Sequence, residues 1–173
     1  MNIFITNICP ILSAQALDNK RVLKMIVESA QLLSTAIFCN SQIVYPDIYK
    51  PTHLKHPCTI WASSNRNNWF WLSEHLIALC HEYTHRYHKK HKTQQLISNL
   101  LKYSSHLIDD NNMTPFVNCT KSDYLQIDFS NHSNTFKAYQ QYLTVKWNND
   151  IIKPKWTNRS IPKWYTQKYI QNY

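Results

Sequence analysis

The chain of 173 residues contains no glycine. Average usage is about 7%, so the absence excludes whole classes of chemistry. Glycine-rich phosphate loops, the GxGxxG dinucleotide fingerprint and the nucleophile elbow all depend on it. Tight hairpins, whose favoured turns use glycine, are disfavoured too. Charge is sparse at 17%, and it is one-sided: 19 Lys and Arg against 10 Asp and Glu give a net +9. That imbalance favours a polyanionic partner, nucleic acid above all. The five cysteines, Cys9, Cys39, Cys58, Cys80 and Cys119, form no CxxC pair. Their odd number and wide spacing suit reduced thiols in a cytoplasm rather than a disulfide framework or zinc ribbon. Cys58 and Cys119 are expected to pack as small apolar groups. The start MNIFITNICP lacks a basic, then long apolar leader, so no signal peptide is expected. No membrane span is expected either, because no run approaches 18 or more apolar residues.

What the chain does have is a large apolar and aromatic reserve, including six Trp and eleven Tyr. A single domain over 1–173 can bury roughly 70% of its unfolded surface without staples. Residues 18–37, DNKRVLKMIVESAQLLSTAI, carry the clearest pattern. On a helix, Arg21, Lys24, Glu28, Gln31 and Thr35 fall on one narrow strip, and nearly everything else is apolar. Surface helices show the opposite proportion. This helix is therefore expected inside the domain, its polar strip opening onto solvent, a cleft or a ligand. A single carboxylate flanked by cations there is a candidate for chemistry.

The remaining segments read as helix and loop. Residues 3–6 are a short strand or an extended lead-in; Pro10 and Ser13 start a short helix, and Asp18 or Asn19 caps the long one. Residues 40–57, with Pro46, Pro51 and Pro57, form an irregular loop. Helical spacing of Leu72, Leu76, Leu79 and Tyr83 predicts a helix over 68–88. Further helices are expected over 93–103 and 133–147, with 106–132 polar and irregular. The fold class expected is all-α: a compact helical domain with long loops and an aromatic-basic C-terminal tail.

Three constellations compete for function. His81-Glu82-Tyr83-Thr84-His85 satisfies HExxH, in which two histidines hold zinc and the glutamate activates water. Yet His81 and His85 fall opposite the leucine stripe, towards bulk solvent, and His88 stands where the longer zinc-protease pattern needs a turn-forming glycine. The expectation is no metal and no cofactor, with a zinc hydrolase as the third reading. The loop YKPTHLKHPC offers His53 and His56 beside lysines, suited either to a phosphate or base edge or to bonding the loop's own backbone. In the tail 153–173, Lys155, Trp156, Arg159, Trp164 and Tyr165 alternate cations with rings, with Lys168 and Tyr169 further on. Such a tail can stack on unpaired bases while its cations track phosphates. It can equally clamp the core and leave its lysines in water.

The helix segment RVLKMIVESAQL resembles the glutamate-bearing helix of the T4-type pyrimidine dimer DNA glycosylases, and PKWYTQKYIQNY resembles their aromatic terminus. The wider set DNKRVLKMIVESAQLLSTAI, THLKHPC, EYTHRY, TPF and KWTNRSIPKWY is similar to phage-encoded proteins. The resemblance implies a compact all-helical fold and base excision, in which a nucleotide is flipped from duplex DNA and its N-glycosidic bond broken. It implies that Glu28 is the catalytic glutamate and that Trp164 and Tyr165 are the tail pair. The chemistry agrees, because a positioned carboxylate can stabilise the sugar cation or activate water. Lys24 is expected to pair with Glu28 or contact a phosphate. Arg21, Gln31, His53, His56, Arg86, Lys155, Trp156, Arg159, Trp164 and Tyr165 are the expected substrate and DNA contacts. The family's extra arginines on this helix are replaced by Val27 and Gln31. Its nucleophile is an α-amine exposed by Met removal, which the bulky Asn2 disfavours. Water is therefore the expected nucleophile, with weak or absent lyase activity. The leading expectation is a monomeric glycosylase acting on a damaged or modified, even viral hypermodified, base in the cytoplasm of a bacterial host. The alternative is a non-catalytic phage nucleic-acid-binding module.

Overall fold

Proline and side-chain caps set where the helices begin. In the computed structural model, which describes residues 1–109 and 112–165, Pro10 opens α1 (Pro10–Ala16) at a position where its missing N–H is not needed. Asp18 flanks α2 (Asn19–Ser41) as its N-cap residue, but its carboxylate makes no capping bond. It instead takes the Trp147 indole N–H at 2.8 Å and the Arg21 guanidinium. Pro57 opens α3 (Pro57–Ser64), with the His56 ring accepting from the Cys58 N–H. Asn65 caps α4 (Arg66–Tyr87) by accepting from the Asn68 N–H at 2.9 Å. A 3-10 turn (Lys92–Leu96) leads into α5 (Ile97–Tyr103), and α6 spans Thr135–Asn149.

The all-α reading holds, with one addition. Segment 106–132 contains a minimal antiparallel hairpin, β1 (Lys121–Ser122) with β2 (Ile127–Asp128), pairing Lys121 with Asp128 and Ser122 with Ile127. Residues 3–6 form neither a strand nor an extended lead-in; they run irregularly through the interior, bent at Phe4 (φ 57°), with Ile3 and Ile5 fully buried. Without glycine, both long helices end on left-handed non-glycine residues, Gln42 (φ 59°) and His88 (φ 54°). Phe4, His53, Gln126 and Asn158 adopt the same region.

The core forms around α2, which packs on α3, α4 and α5, while α1 lies on α4. By length and hydropathy α2 is in fact sufficient to cross a membrane, contrary to the expectation above. Its apolar circumference is covered here by protein: Val22, Met25, Ile26, Ala30, Leu32, Leu33, Ala36 and Ile37 are all buried. Leu23, half exposed beside Lys24, and Val27, half-buried, are exceptions. Trp69 and Trp147 are fully buried, and the Trp69 indole N–H reaches the Leu33 carbonyl at 3.2 Å.

The tail clamps the core. Trp147 of α6 stacks on Trp164 and meets Trp156 and Tyr165 edge-on. The Trp156 indole N–H donates to the Ala16 carbonyl at 2.9 Å, and the Lys155 carbonyl accepts from the Asn19 N–H at 2.8 Å. Lys155 itself points to solvent. Lys168 and Tyr169 lie outside the described residues.

Candidate active site at Glu28

The polar strip of α2 opens to the outside over a short stretch only. Arg21 and Thr35 at its two ends are buried, Lys24 is exposed, and Glu28 and Gln31 between them are half-buried. Glu28 keeps 13% of its side chain exposed and carries three cationic or N–H partners. Its Oε2 accepts the Asn2 backbone N–H at 3.0 Å. The Met1 amine lies 3.9 Å from the same oxygen, and the Lys24 Nζ lies 3.4 Å from Oε1.

Asn2 explains how the start of the chain is held there. Its Oδ1 accepts from the Ile3 and Phe4 N–H groups at 2.7 and 3.2 Å, folding the side chain back over its own backbone. Its Nδ2 donates to the Cys119 carbonyl at 2.9 Å. Phe4 then anchors the segment between Tyr139 and Tyr142. With both ends of the amide occupied, the backbone nitrogen of residue 2 is fixed against Glu28. No sequence pattern announced this role; an amide at position 2 was the only available hint.

Beside this contact is an open cavity of about 360 Å³ lined by Met1, Asn2, His56, Cys119, Lys121 and Tyr142 among others. Of the two roles expected for His56, the structure shows the bond to its own loop backbone, and it also places the residue at the cavity. Its Nδ1 accepts the Cys58 N–H at 3.1 Å, which caps α3, and its ring also borders the cavity. An accepting Nδ1 leaves the ring proton on Nε2. Burial lowers the pKa of His56, helped by the nearby N-terminal charge and His53, so the ring is neutral at neutral pH. His53 is exposed in a left-handed turn, where its carbonyl accepts from the His56 N–H and the Thr59 hydroxyl. Lys20, Lys24 and Lys146 form a basic group: burial lowers Lys146, and Arg21, Lys24 and Lys20 act in the same sense. Lys20 lies one turn before Lys24 on α2, a spacing visible in the sequence, whereas Lys121 and Lys146 arrive from distant elements.

Several residues expected at DNA are placed elsewhere. Arg21 is 3% exposed and pairs with Asp18 and with Asp150 from the end of α6. Arg86, 2% exposed, bonds Glu82 and the Gln15 carbonyl. Arg159 reaches the same Glu82 at 2.6 Å. Trp156 and Tyr165 are buried, and Trp164 is half-buried against Trp147. Each has found an internal partner whose contact would have to be broken to free it.

The HEYTH segment resolves in the same way. His81 and His85 are exposed, but Glu82 turns into the core, 3% exposed, and both its oxygens are taken by arginines. The His85 ring meets the Asn158 carbonyl at 2.9 Å. Among the described residues, no group of three or more His, Cys, Asp or Glu is arranged to hold a metal ion.

A family model described as pyrimidine dimer DNA glycosylase matches residues 1–95, which takes in α2, the N-terminal segment and His56. The chain belongs to the pyrimidine dimer DNA glycosylase family. The match ends before Cys119, Lys121 and Tyr142, so this family member completes its cavity with residues beyond the matched region. Nothing among the curated proteins or the solved structures matches the chain.

Proposed function

We propose that this protein excises a damaged or modified base from duplex DNA by breaking its N-glycosidic bond at Glu28. The observation that carries the reading is one carboxylate, on a helix otherwise sunk in the core, held by the Asn2 N–H and paired with Lys24 next to a cavity that Met1, Asn2 and Lys121 line. Cleavage of the bond develops positive charge on the sugar, and a carboxylate fixed by the Asn2 N–H stabilises that charge without reorganising. The same carboxylate can take the proton of an attacking water. Lys24 pairs with Glu28, Gln31 borders it one turn on, and Lys20, Lys121, Lys146, Lys155, His53 and His56 meet the DNA backbone around a flipped nucleotide.

A second reading of the nucleophile has a specific observation behind it. The Met1 amine is 3.9 Å from Glu28, so an amine stands where the resemblance calls for one. Attack by an amine at the sugar carbon forms an imine that borohydride traps as a protein–DNA adduct; attack by water leaves no adduct. The test is incubation with duplexes carrying defined lesions or modified pyrimidines, comparing wild type with Glu28→Gln. Abasic sites from wild type, and loss of them in the variant, are expected. Salt-dependent binding with no abasic product on any duplex, unaffected by Glu28→Ala, identifies a binding module instead.

A further inference from the structure

A second reactive constellation borders this cavity and takes no part in the glycosidic chemistry. Cys58, near the start of α3, and Cys119, just before β1, place their sulfurs 3.7 Å apart across 61 residues of sequence. They pair with each other rather than packing as isolated apolar groups. Their surroundings are unequal. Cys58 is fully buried, whereas Cys119 is half-buried and lines the cavity with Lys121 and Met1. The contact with Cys58 holds the Cys119 thiol below the ordinary range, with Tyr139 and the N-terminal charge acting in the same direction and burial against it. The same contact pushes the Cys58 thiol up. Elsewhere, burial raises Cys39 and takes Cys80 up to about 12, leaving them poor nucleophiles. One sulfur therefore faces incoming reagents and the other stands directly behind it, the arrangement of an attacking and a resolving thiol.

We propose that Cys58 and Cys119 form an oxidative modification site that takes a hydroperoxide and closes to an intramolecular disulfide. The Cys119 thiolate attacks one peroxide oxygen; the S–O bond forms, the O–O bond breaks, and the departing oxygen leaves as alcohol or water after gaining a proton. The Cys58 sulfur then attacks the sulfenic sulfur of Cys119. The S–S bond forms, the S–O bond breaks, and hydroxide leaves as water with the Cys58 proton. Two thiols lose two electrons in all, and the peroxide gains them.

Closure brings sulfurs now 3.7 Å apart to about 2 Å. Cys119 is also the residue whose carbonyl anchors Asn2, and Asn2 in turn donates to Glu28. The disulfide thus draws the Asn2 anchor towards α3 and disturbs the contact at Glu28. This consequence for catalysis rests on the function proposed above; formation of the disulfide does not.

The test treats the reduced full-length chain with hydrogen peroxide, alkylates the remaining thiols and maps the peptides. Loss of two of the five thiols as a Cys58–Cys119 peptide within one chain is expected, with a dimedone adduct at Cys119 in Cys58→Ser. Oxidation of the cysteines at similar rates, or an adduct centred on another cysteine, overturns the site. The second arm compares abasic-site formation by oxidised and reduced protein. The oxidised form is expected to be slower by about a hundredfold, the scale of an angstrom-sized misplacement. Dithiothreitol restores the rate, and Cys58→Ser protects it from peroxide. An undiminished rate from fully crosslinked protein overturns the link to Glu28. Absence of excision even in the reduced protein overturns the proposed function and leaves the modification site standing.

Discussion

Glu28 and Glu82 make an instructive pair. Both are glutamates on long helices, α2 and α4, and both have a neighbouring cation one turn away. Glu82 has the more familiar motif around it, yet its oxygens are bonded by Arg86 and Arg159 and its surroundings are closed. Glu28 stands in no such metal-binding pattern, but it meets a backbone N–H and an exposed lysine, with part of its side chain open to solvent. A carboxylate that two guanidiniums enclose has structural work; one held by a backbone N–H and an exposed lysine, next to residues that line a cavity, is available for chemistry. Environment, rather than motif, separates them.

The sharpest way to break the comparison is to remove each carboxylate in turn. Glu82→Ala leaves two guanidiniums facing a buried void and is expected to cost about 3–5 kcal/mol in urea unfolding. Glu28→Gln is expected to keep its unfolding midpoint near wild type. Its excision rate should fall by about 10²–10³-fold, the usual effect of losing one preorganised electrostatic group. Reversed outcomes, a stable Glu82 variant without activity or an unfolded Glu28 variant, would exchange the roles assigned here.

Acid provides a third measurement, on α4 only. His75 is fully buried, and burial takes its pKa down to about 4 although it contacts the Pro10 carbonyl. The folded state thus favours the neutral ring. Its contribution is present above about pH 6.5, the unfolded value, and is lost as pH falls towards 4; over that window it is about 3 kcal/mol. His75→Gln is expected to flatten the acid limb of the stability profile in this window. The smallest effect concerns DNA affinity. Replacing Lys20 and Lys146 with alanine is expected to reduce the log–log salt slope of binding by about two, with excision from saturated complexes unchanged. Arg86→Lys, by contrast, should alter stability and leave the slope alone, because the Arg86 side chain is enclosed by Glu82 and Gln15.

Much of the frame was legible because it is local. Apolar spacing, Pro10 and the long strip of α2 located α1, α2, α4, α5 and α6 to within a few residues, and the strip identified Glu28. The short α3 (Pro57–Ser64) was missed, because Pro57 read as the end of a loop rather than the first residue of a short helix. What the sequence hid was contact between distant segments. Arg21 reads as a DNA ligand until Asp150, arriving from the end of α6, closes over it. Trp156 and Tyr165 read equally as base-stacking rings or as a clamp on the core, because sequence offers no view of Trp147, the buried indole that decides for the clamp. Asn2 and Cys119 carry no pattern at all; their importance comes from a single carbonyl–amide bond across 117 positions. The resemblance found the carboxylate, but the shape of its cavity depends on residues that pattern reading could not bring together.

The left-handed ends of α2 and α4 have a practical consequence. Gln42 and His88 occupy, at solvent-exposed positions, the one backbone region in which a β-carbon is a liability. A protein built without glycine has left thermal tolerance unclaimed at these two joints. Introducing the missing residue at each offers an engineer a sturdier scaffold for trapping complexes with DNA.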